Sequence, residues 1–353
     1  MEDTLIYLLI QEENIEELQK LITTGWNINK HIKTKYGIEF PLYTSISNRK
    51  YQVAKFLIEH GADLNEPENP PIHMAARDGN VDLISLLVNR GADVNIVSNR
   101  GYTTIEAATS PKNKYDVLEH LIKLGIRVDE FGGKALRSSA MSGDKNIVEL
   151  LINHGADINY NQIDQVHTSG STPLEVAVQF NKVDVAKLLL EKHAEVTITD
   201  CWGYRPYHHA RINNCTELLS LIKEREPVEW HNPEKIIQRL LKYQVPEEVI
   251  NFLQEGKKIE LEDANTEFIR FSSLEEVRIF TWENKLVVDL VSEVENYDNT
   301  GFLVWLPEEL YFATFDVEHR KFAILHDMTW SSLIENPGQY IDRILDWEYF
   351  EED

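Results

Sequence analysis

Two cysteines, Cys201 and Cys215, are all that this chain of 353 residues carries. A disulfide-stapled extracellular scaffold needs more, so both read as reduced thiols. Cations are scarce as well: 35 Lys and Arg stand against 59 Asp and Glu, for a net charge of −24. That balance excludes a grip on a polyphosphate backbone, which rewards Lys and Arg, so no nucleic-acid partner is expected. Long apolar runs are missing. "LIYLLI" at residues 5–10 falls far short of the ~20 residues that cross a bilayer. Its flanks, "MED" and "QEENIEE", are acidic, the wrong sign for a secretory signal. The expectation is a cytoplasmic protein with no membrane partner. Catalytic signatures are absent too: there is no G-x-S-x-G, no glycine-rich phosphate loop, no H-E-x-x-H, and no cysteine after residue 215. Neither an enzyme, a cofactor nor a metal is expected.

What the chain does have is repetition, with a period near 33. Unit ends read "TTGWNIN" (23–29), "EHGADLN" (59–65), "NRGADVN" (89–95), "KLGIRV" (123–128), "NHGADIN" (153–159) and "EKHAEVT" (191–197). Unit starts read "FPLYTSI" (40–46), "PPIHMAA" (70–76), "YTTIEAA" (102–108), "STPLEVA" (171–177) and "RPYHHAR" (205–211). Thr172 suits an N-cap, and Pro173 suits a first turn whose N–H has no helical partner. Ala75 and Ala76 let the first helix of a unit lie close to its neighbour. "VDLISLLV" (81–88) carries leucines at helical spacing, and Gly91 ends that helix at no steric cost. One such unit cannot bury its apolar face alone, so the units must stack.

"PPIHMAA" and "GADVN" resemble the T-P-L-H-x-A and G-A-D-V-N signatures of the ankyrin repeat family. The resemblance covers residues 1–226 in about seven units: 3–31, 36–66, 69–96, 99–129, 131–160, 168–198 and 200–225. The first unit is studded with Glu and lacks the Thr-Pro start; the last lacks Gly-Ala-Asp. Both suit capping units with a polar outer face. The resemblance implies an all-α solenoid that does no chemistry and binds proteins with its hairpin tips and inner helices. Tyr36, Arg100, Tyr102, Trp202 and Tyr204 fall at tips, and aromatics and Arg are enriched at binding hot spots. Cys201, His208, His209 and Cys215 lie close in sequence, but C-x6-HH-x5-C matches no common zinc pattern, and the repeat itself places His at 208 as at His73.

Residues 227–232, "PVEWHN", form a hinge to an acidic α+β domain over 233–353. Asn232-Pro233 and Pro246-Glu247-Glu248 open two helices. Period-two segments follow, among them "TEFIRF", "EVRIFTW", "KLVVDLV", "GFLVWL" and "LYFATF", and predict a mainly antiparallel sheet. "SSLEEV" (272–277) fits a short helix with a capping box, and "TWSSLIENPGQYIDRIL" a closing helix broken near Pro337-Gly338. Asp316, His319, His326 and Asp327 cluster in "FDVEHRKFAILHD", where an acid–base or metal site is conceivable but turn charges are ordinary.

Charge is uneven. Residues 231–353 hold 27 Asp and Glu against 11 Lys and Arg, net −16, which leaves −8 for the other 230 residues. Glu262, Asp263, Glu267, Glu293, Glu295 and Asp298, with Trp305, are the candidates for contact with a basic partner. "VPEEVINFLQEG", "F-SSLEEV" and "LYFATFD" resemble the SUKH superfamily, largely bacterial immunity proteins that bind and neutralise toxins. The usual Asn-Gly-Gly after the second helix is reduced to Gly256. The resemblances together with the uneven charge lead to the expectation of a non-enzymatic protein, a monomer, that occludes a basic protein such as a toxin. A general adaptor whose tail caps or dimerises, and an enzyme delivered by the array, are the rivals.

Overall fold

The computed structural model describes residues 2–35, 37–164, 167–261 and 264–350. Backbone contacts group residues 1–160 and residues 161–353 as two compact units.

The first unit is a succession of helix pairs: α1 (Glu2–Gln11) with α2 (Ile15–Thr23), α3 (Pro41–Ser47) with α4 (Tyr51–Glu59), and α5 (Pro71–Arg77) with α6 (Val81–Asn89). Two more follow, α7 (Thr104–Ala108) with α8 (Lys114–Lys123) and α9 (Val128–Ser142) with α10 (Lys145–Asn153). Local chemistry sets the ends. Pro41 and Pro71 occupy first turns, Asn80 caps the Leu83 N–H at 3.0 Å, and Thr103 and Glu106 form a reciprocal capping box. Gly91 takes φ +102°, left-handed backbone that a β-carbon would disfavour. Leu83, Ile84 and Leu87 of α6 are buried, as their spacing predicts.

The asparagines that close three of the units, Asn29, Asn65 and Asn95, share a physical task. Asn29 accepts the Asp63 N–H at 2.8 Å and donates to the Gly61 carbonyl at 3.3 Å. Asn65 does the same with Asp93 and Gly91 (2.7 and 3.1 Å), and Asn95 with Arg127 and Gly125 (2.8 and 3.3 Å). One amide thus satisfies both a donor and an acceptor of the next turn, and a ladder runs along the stack.

Helix α9 departs from the pattern. It starts at Val128, directly after the Gly125 turn, and runs 15 residues, because the fifth unit has no Thr-Pro start to interrupt it. Within it, a β-carbon on Gly133 would stand 2.4 Å from the Tyr160 ring, so the helix lies against that ring as only glycine allows. The buried Arg137 lays its guanidinium 4.9 Å from the centroid of the same ring.

The second unit begins with two more pairs, α11 (Pro173–Gln179) with α12 (Val183–Glu191) and α13 (Pro206–Ile212) with α14 (Thr216–Lys223). A 3-10 turn, Val228–Trp230, leads to α15 (Pro233–Lys242) and α16 (Glu247–Leu253). Then come β3 (Lys258–Glu260), β4 (Phe268–Phe271), β5 (Arg278–Trp282), β6 (Lys285–Asp289), β7 (Val291–Val294), β8 (Val304–Leu306), β9 (Tyr311–Asp316) and β10 (Lys321–Ile324). A hairpin in the first unit, Ile32–Thr34 with Gly37–Glu39, supplies β1 and β2. Helices α17 (Trp330–Glu335) and α18 (Pro337–Leu345) follow the strands, divided at Asn336-Pro337. "SSLEEV" is no helix: Glu276 reaches back to the Ser273 N–H and hydroxyl (2.8 and 2.7 Å), and the chain turns straight into β5.

The described strands of the second unit form two antiparallel sheets, β3-β4-β7 and β10-β9-β8-β6-β5. One face of the larger sheet packs with α15–α18 and the smaller sheet around Leu240, Val249, Phe271, Trp305, Phe312 and Trp330. The other face carries Phe280, Trp282, Val287, Val304 and Phe315. Strands β5 and β9 stand three places apart, ~14 Å in a flat sheet. Yet Trp282 of β5 stacks on Phe315 of β9 at 4.3 Å. The sheet therefore curls until its two sides close over an aromatic filling.

Candidate interaction surface

The hairpin tip Asp200–Tyr204 is organised by one carboxylate. Asp200 Oδ1 accepts the backbone N–H groups of Trp202 and Tyr204, each at 2.9 Å, and Gly203 supplies φ +72°. This aims both aromatic rings at the curled sheet. Trp202 meets Phe280 edge-on at 6.1 Å, and its carbonyl accepts from Arg278 Nη1 at 3.3 Å. Arg278 lies over the Tyr204 ring at 3.8 Å, and Asn299 donates to the Tyr204 hydroxyl at 3.3 Å. Arg278 is itself buried and paired to Asp289 at 2.6 Å, where Asp289 has no exposed surface. The Gly301 and Val291 N–H groups also donate to Asp289, at 3.2 Å each. Burial pushes the Asp289 carboxyl up, with the Arg278 charge and these N–H groups working against it.

Trp202 and Tyr204 were expected to face a partner. They are turned inward instead, because Arg278 offers a cation to stack on and the β5 edge offers an apolar wall.

A second set of contacts joins α13 and α14 to the turn before β5. The Tyr207 hydroxyl and Lys223 Nζ donate to Glu275, the latter at 3.2 Å, and Arg211 Nε donates to Glu276 at 2.9 Å. Behind them Arg205 Nε meets the buried Glu226 at 2.6 Å. His231 Nε2 stands 2.8 Å from the other Glu226 oxygen, near enough for an ion pair but off the line of a hydrogen bond. Glu275, Glu276, Arg278 and Asp289 were not singled out in the sequence. The available signal was charge where alternation predicts apolar residues: Arg278 in "EVRIFTW" and Asp289 in "KLVVDLV".

The histidines of the last pair are interior groups. His208 Nδ1 accepts the Arg205 N–H at 3.1 Å, and burial drives its pKa well down. His209 Nε2 faces Glu175 at 3.2 Å, and burial lowers it to about 4. Burial, then the neighbouring Glu175 charge, pushes Asp200 up to about 7. Burial and Asp200 hold the Cys201 thiol at about 11, which leaves it protonated and unreactive. Among the described residues, no three His, Cys, Asp or Glu side chains stand close enough to hold a metal.

Of the remaining tip candidates, Tyr36 lies outside the described residues. Arg100 is exposed, and Tyr102, 36% exposed, sets its ring edge against His73 at 5.9 Å. In the acidic tail, Glu262 and Asp263 also lie outside the described residues. Glu267 is exposed, and its N–H donates to Glu295 at 2.9 Å. Glu293 pairs with Arg270 across the β4–β7 ladder, and Asp298 caps the Thr300 N–H at 2.9 Å. Trp305 is a correction: it is 6% exposed in the core, with its indole N–H donating to the Tyr243 carbonyl at 3.1 Å. Its position in a central strand buries both faces. Asp316 accepts from His319, whereas His326 lies against Tyr311 and Asp327 pairs with Arg343 at 2.8 Å, so the four do not converge.

A sequence model described as ankyrin repeats (3 copies) matches residues 5–98 and 104–200, more than half of the chain. The chain belongs to the ankyrin repeat family. Among similar proteins, human transient receptor potential cation channel subfamily A member 1 is 25% identical over 206 residues, covering 56% of this chain and 18% of that one. The probable 26S proteasome regulatory subunit p28 of Saccharomyces cerevisiae is 30% identical over 176 residues, covering 46% of this chain and 75% of that one. An ankyrin repeat protein of fowlpox virus is 31% identical over 160 residues, covering 45% and 36%. This chain thus spans less than a fifth of the channel subunit's length and about a third of the viral protein's. No helix among the described residues is long and apolar enough to cross a membrane.

Proposed function

We propose that this chain is a non-enzymatic protein-binding protein whose acidic C-terminal domain selects a basic protein partner, in its most specific form a toxin that it occludes. The observation that carries this reading is the net −16 on residues 231–353. Among the described residues, ion pairs inside the domain, such as Lys257–Glu255 (2.7 Å), Lys258–Glu260 (2.7 Å) and Arg320–Glu283 (2.9 Å), neutralise at least seven of its eleven cations. The surplus carboxylates, among them the exposed Glu267, Asp298, Glu308 and Glu318, face solvent uncompensated. Such a field steers a basic partner and makes the association sensitive to salt. The SUKH-like segments and the ankyrin array agree in pointing to capture of another protein, and the yeast relative is by name a subunit of a larger assembly.

The plain adaptor, with the C-terminal domain as a cap, is favoured by one observation: Trp202 and Tyr204 are engaged by Arg278 and Phe280. Full-length protein as bait in host lysate separates the two. A basic protein retained at low salt, released at ~0.5 M salt, and lost from a Glu267→Gln/Asp298→Asn/Glu308→Gln/Glu318→Gln variant supports the acidic-face reading. Retention indifferent to both changes sinks it and leaves the adaptor.

A further inference from the structure

Three cations of the C-terminal domain stand together on one helix, outside its ion pairs. Lys235, Arg239 and Lys242 lie along α15 at positions i, i+4 and i+7, and all three are exposed. Among the described residues none has a carboxylate within ion-pair reach. Lys235 and Arg239 line a cavity of about 350 Å³ between the Val228–Trp230 turn, α15 and the segment that leads into β5. Its floor is apolar, built from Ile236, Leu240, Leu274 and Ile279, with the Trp230 ring on one side. That size and that mixture are those of a ligand-binding cleft.

The acids on the cavity wall do not cancel the cations. Glu275 is already held by the Tyr207 hydroxyl, Lys223 and His231 (3.4 Å to its Nδ1). Glu229 alone remains on the rim against Lys235 and Arg239. The wall is also firm. Arg205 fixes Trp230 by lying 4.8 Å from its ring centroid while bonded to Glu226 at 2.6 Å. A positive lip over an apolar floor, in a domain of net −16, is charge placed against its surroundings.

We propose that this cavity takes a short peptide segment of a protein partner, with an aromatic or branched side chain on the Ile236–Leu240–Ile279 floor and an adjacent carboxylate on Arg239 and Lys235. Arg239 offers the planar fork that matches a carboxylate, and Lys235 a second charge four residues away. The site is opposite in sign to the acidic faces and does not rest on their function.

The test uses the full chain and a fluorescein-labelled five-residue peptide carrying one tryptophan followed by two aspartates, read by anisotropy. The expected result is saturable binding that weakens about tenfold or more in Arg239→Glu, and also when the peptide loses either its indole or its carboxylates. Lys242→Glu sits on the same helix face but outside the cavity, and it should change affinity less than about threefold. Arg239 is exposed, so the variant should keep the parent melting curve. No saturable binding at millimolar peptide overturns the proposal, as does equal weakening by Arg239→Glu and Lys242→Glu. Undiminished binding of the peptide without its indole would mean plain charge attraction, and overturns it too.

Discussion

The Arg278 guanidinium lies 3.8 Å from the centroid of the Tyr204 ring while its other side reaches the buried Asp289 at 2.6 Å. A hairpin tip of the repeat array and the interior of the curled sheet are thereby joined through one side chain. Stacking on a desolvated ring strengthens the cation's hold, and the ion pair excuses its burial.

Removing that cation should be costly. Arg278→Met leaves Asp289 buried without its partner, and a loss of about 3–5 kcal/mol is expected by chemical denaturation. Arg278→Met combined with Asp289→Leu should recover much of it, since no orphaned charge remains. A single variant within 1 kcal/mol of the parent on that same scale would show that the pair is not holding the junction.

Asp200 predicts a pH dependence of definite sign. Its native carboxyl titrates at about 7, against ~3.9 for an unfolded aspartate. Between those values the native chain keeps a proton that the unfolded chain releases, so this group's contribution to stability falls as pH rises and levels off above its native value. His209, lowered to about 4, acts oppositely below ~6.5, where the unfolded chain holds the extra proton. Asn at position 200 keeps an oxygen for the Trp202 and Tyr204 N–H groups but cannot ionise. The melting temperature of Asp200→Asn relative to the parent should therefore climb between about pH 4.5 and 7.5, then flatten. A difference independent of pH would refute the assignment.

Along the array, Asn65→Ala deletes two bonds to the following turn, to the Asp93 N–H and the Gly91 carbonyl. The site is solvated, so about 1–2 kcal/mol should be lost. Hydrogen exchange at the Asp93 amide should rise with it, and an unprotected Asp93 amide in the parent would count against the ladder.

The repeat was legible because its information is local. Pro at first turns, Asn80 and Thr172 as caps, and glycine at unit ends act within a few residues, and the period repeats them. Helix α9 was less legible because its length follows from a missing signal. The strands were visible from alternation, but alternation says nothing of curl, so neither the Trp282–Phe315 stack nor the burial of Trp305 could be read. The candidate surface was misplaced for a related reason. An aromatic at a tip looks the same in sequence whether it meets a partner or Arg278, and those residues are separated by more than seventy positions. The acids of "SSLEEV" read as helix chemistry because their partners, Tyr207, Lys223 and Arg211, lie in a different motif.

The junction at Trp202 and Tyr204 also bears on how such a chain can change in length. A duplicated repeat slipped in ahead of the last tip would meet neighbours of its own kind on both sides. One added after it would confront Arg278 with a hairpin that lacks the matching rings, and would strand a buried charge. Growth and shrinkage of the array are therefore confined to the side upstream of residue 200, and the final pair and the sheet beyond it must be inherited together.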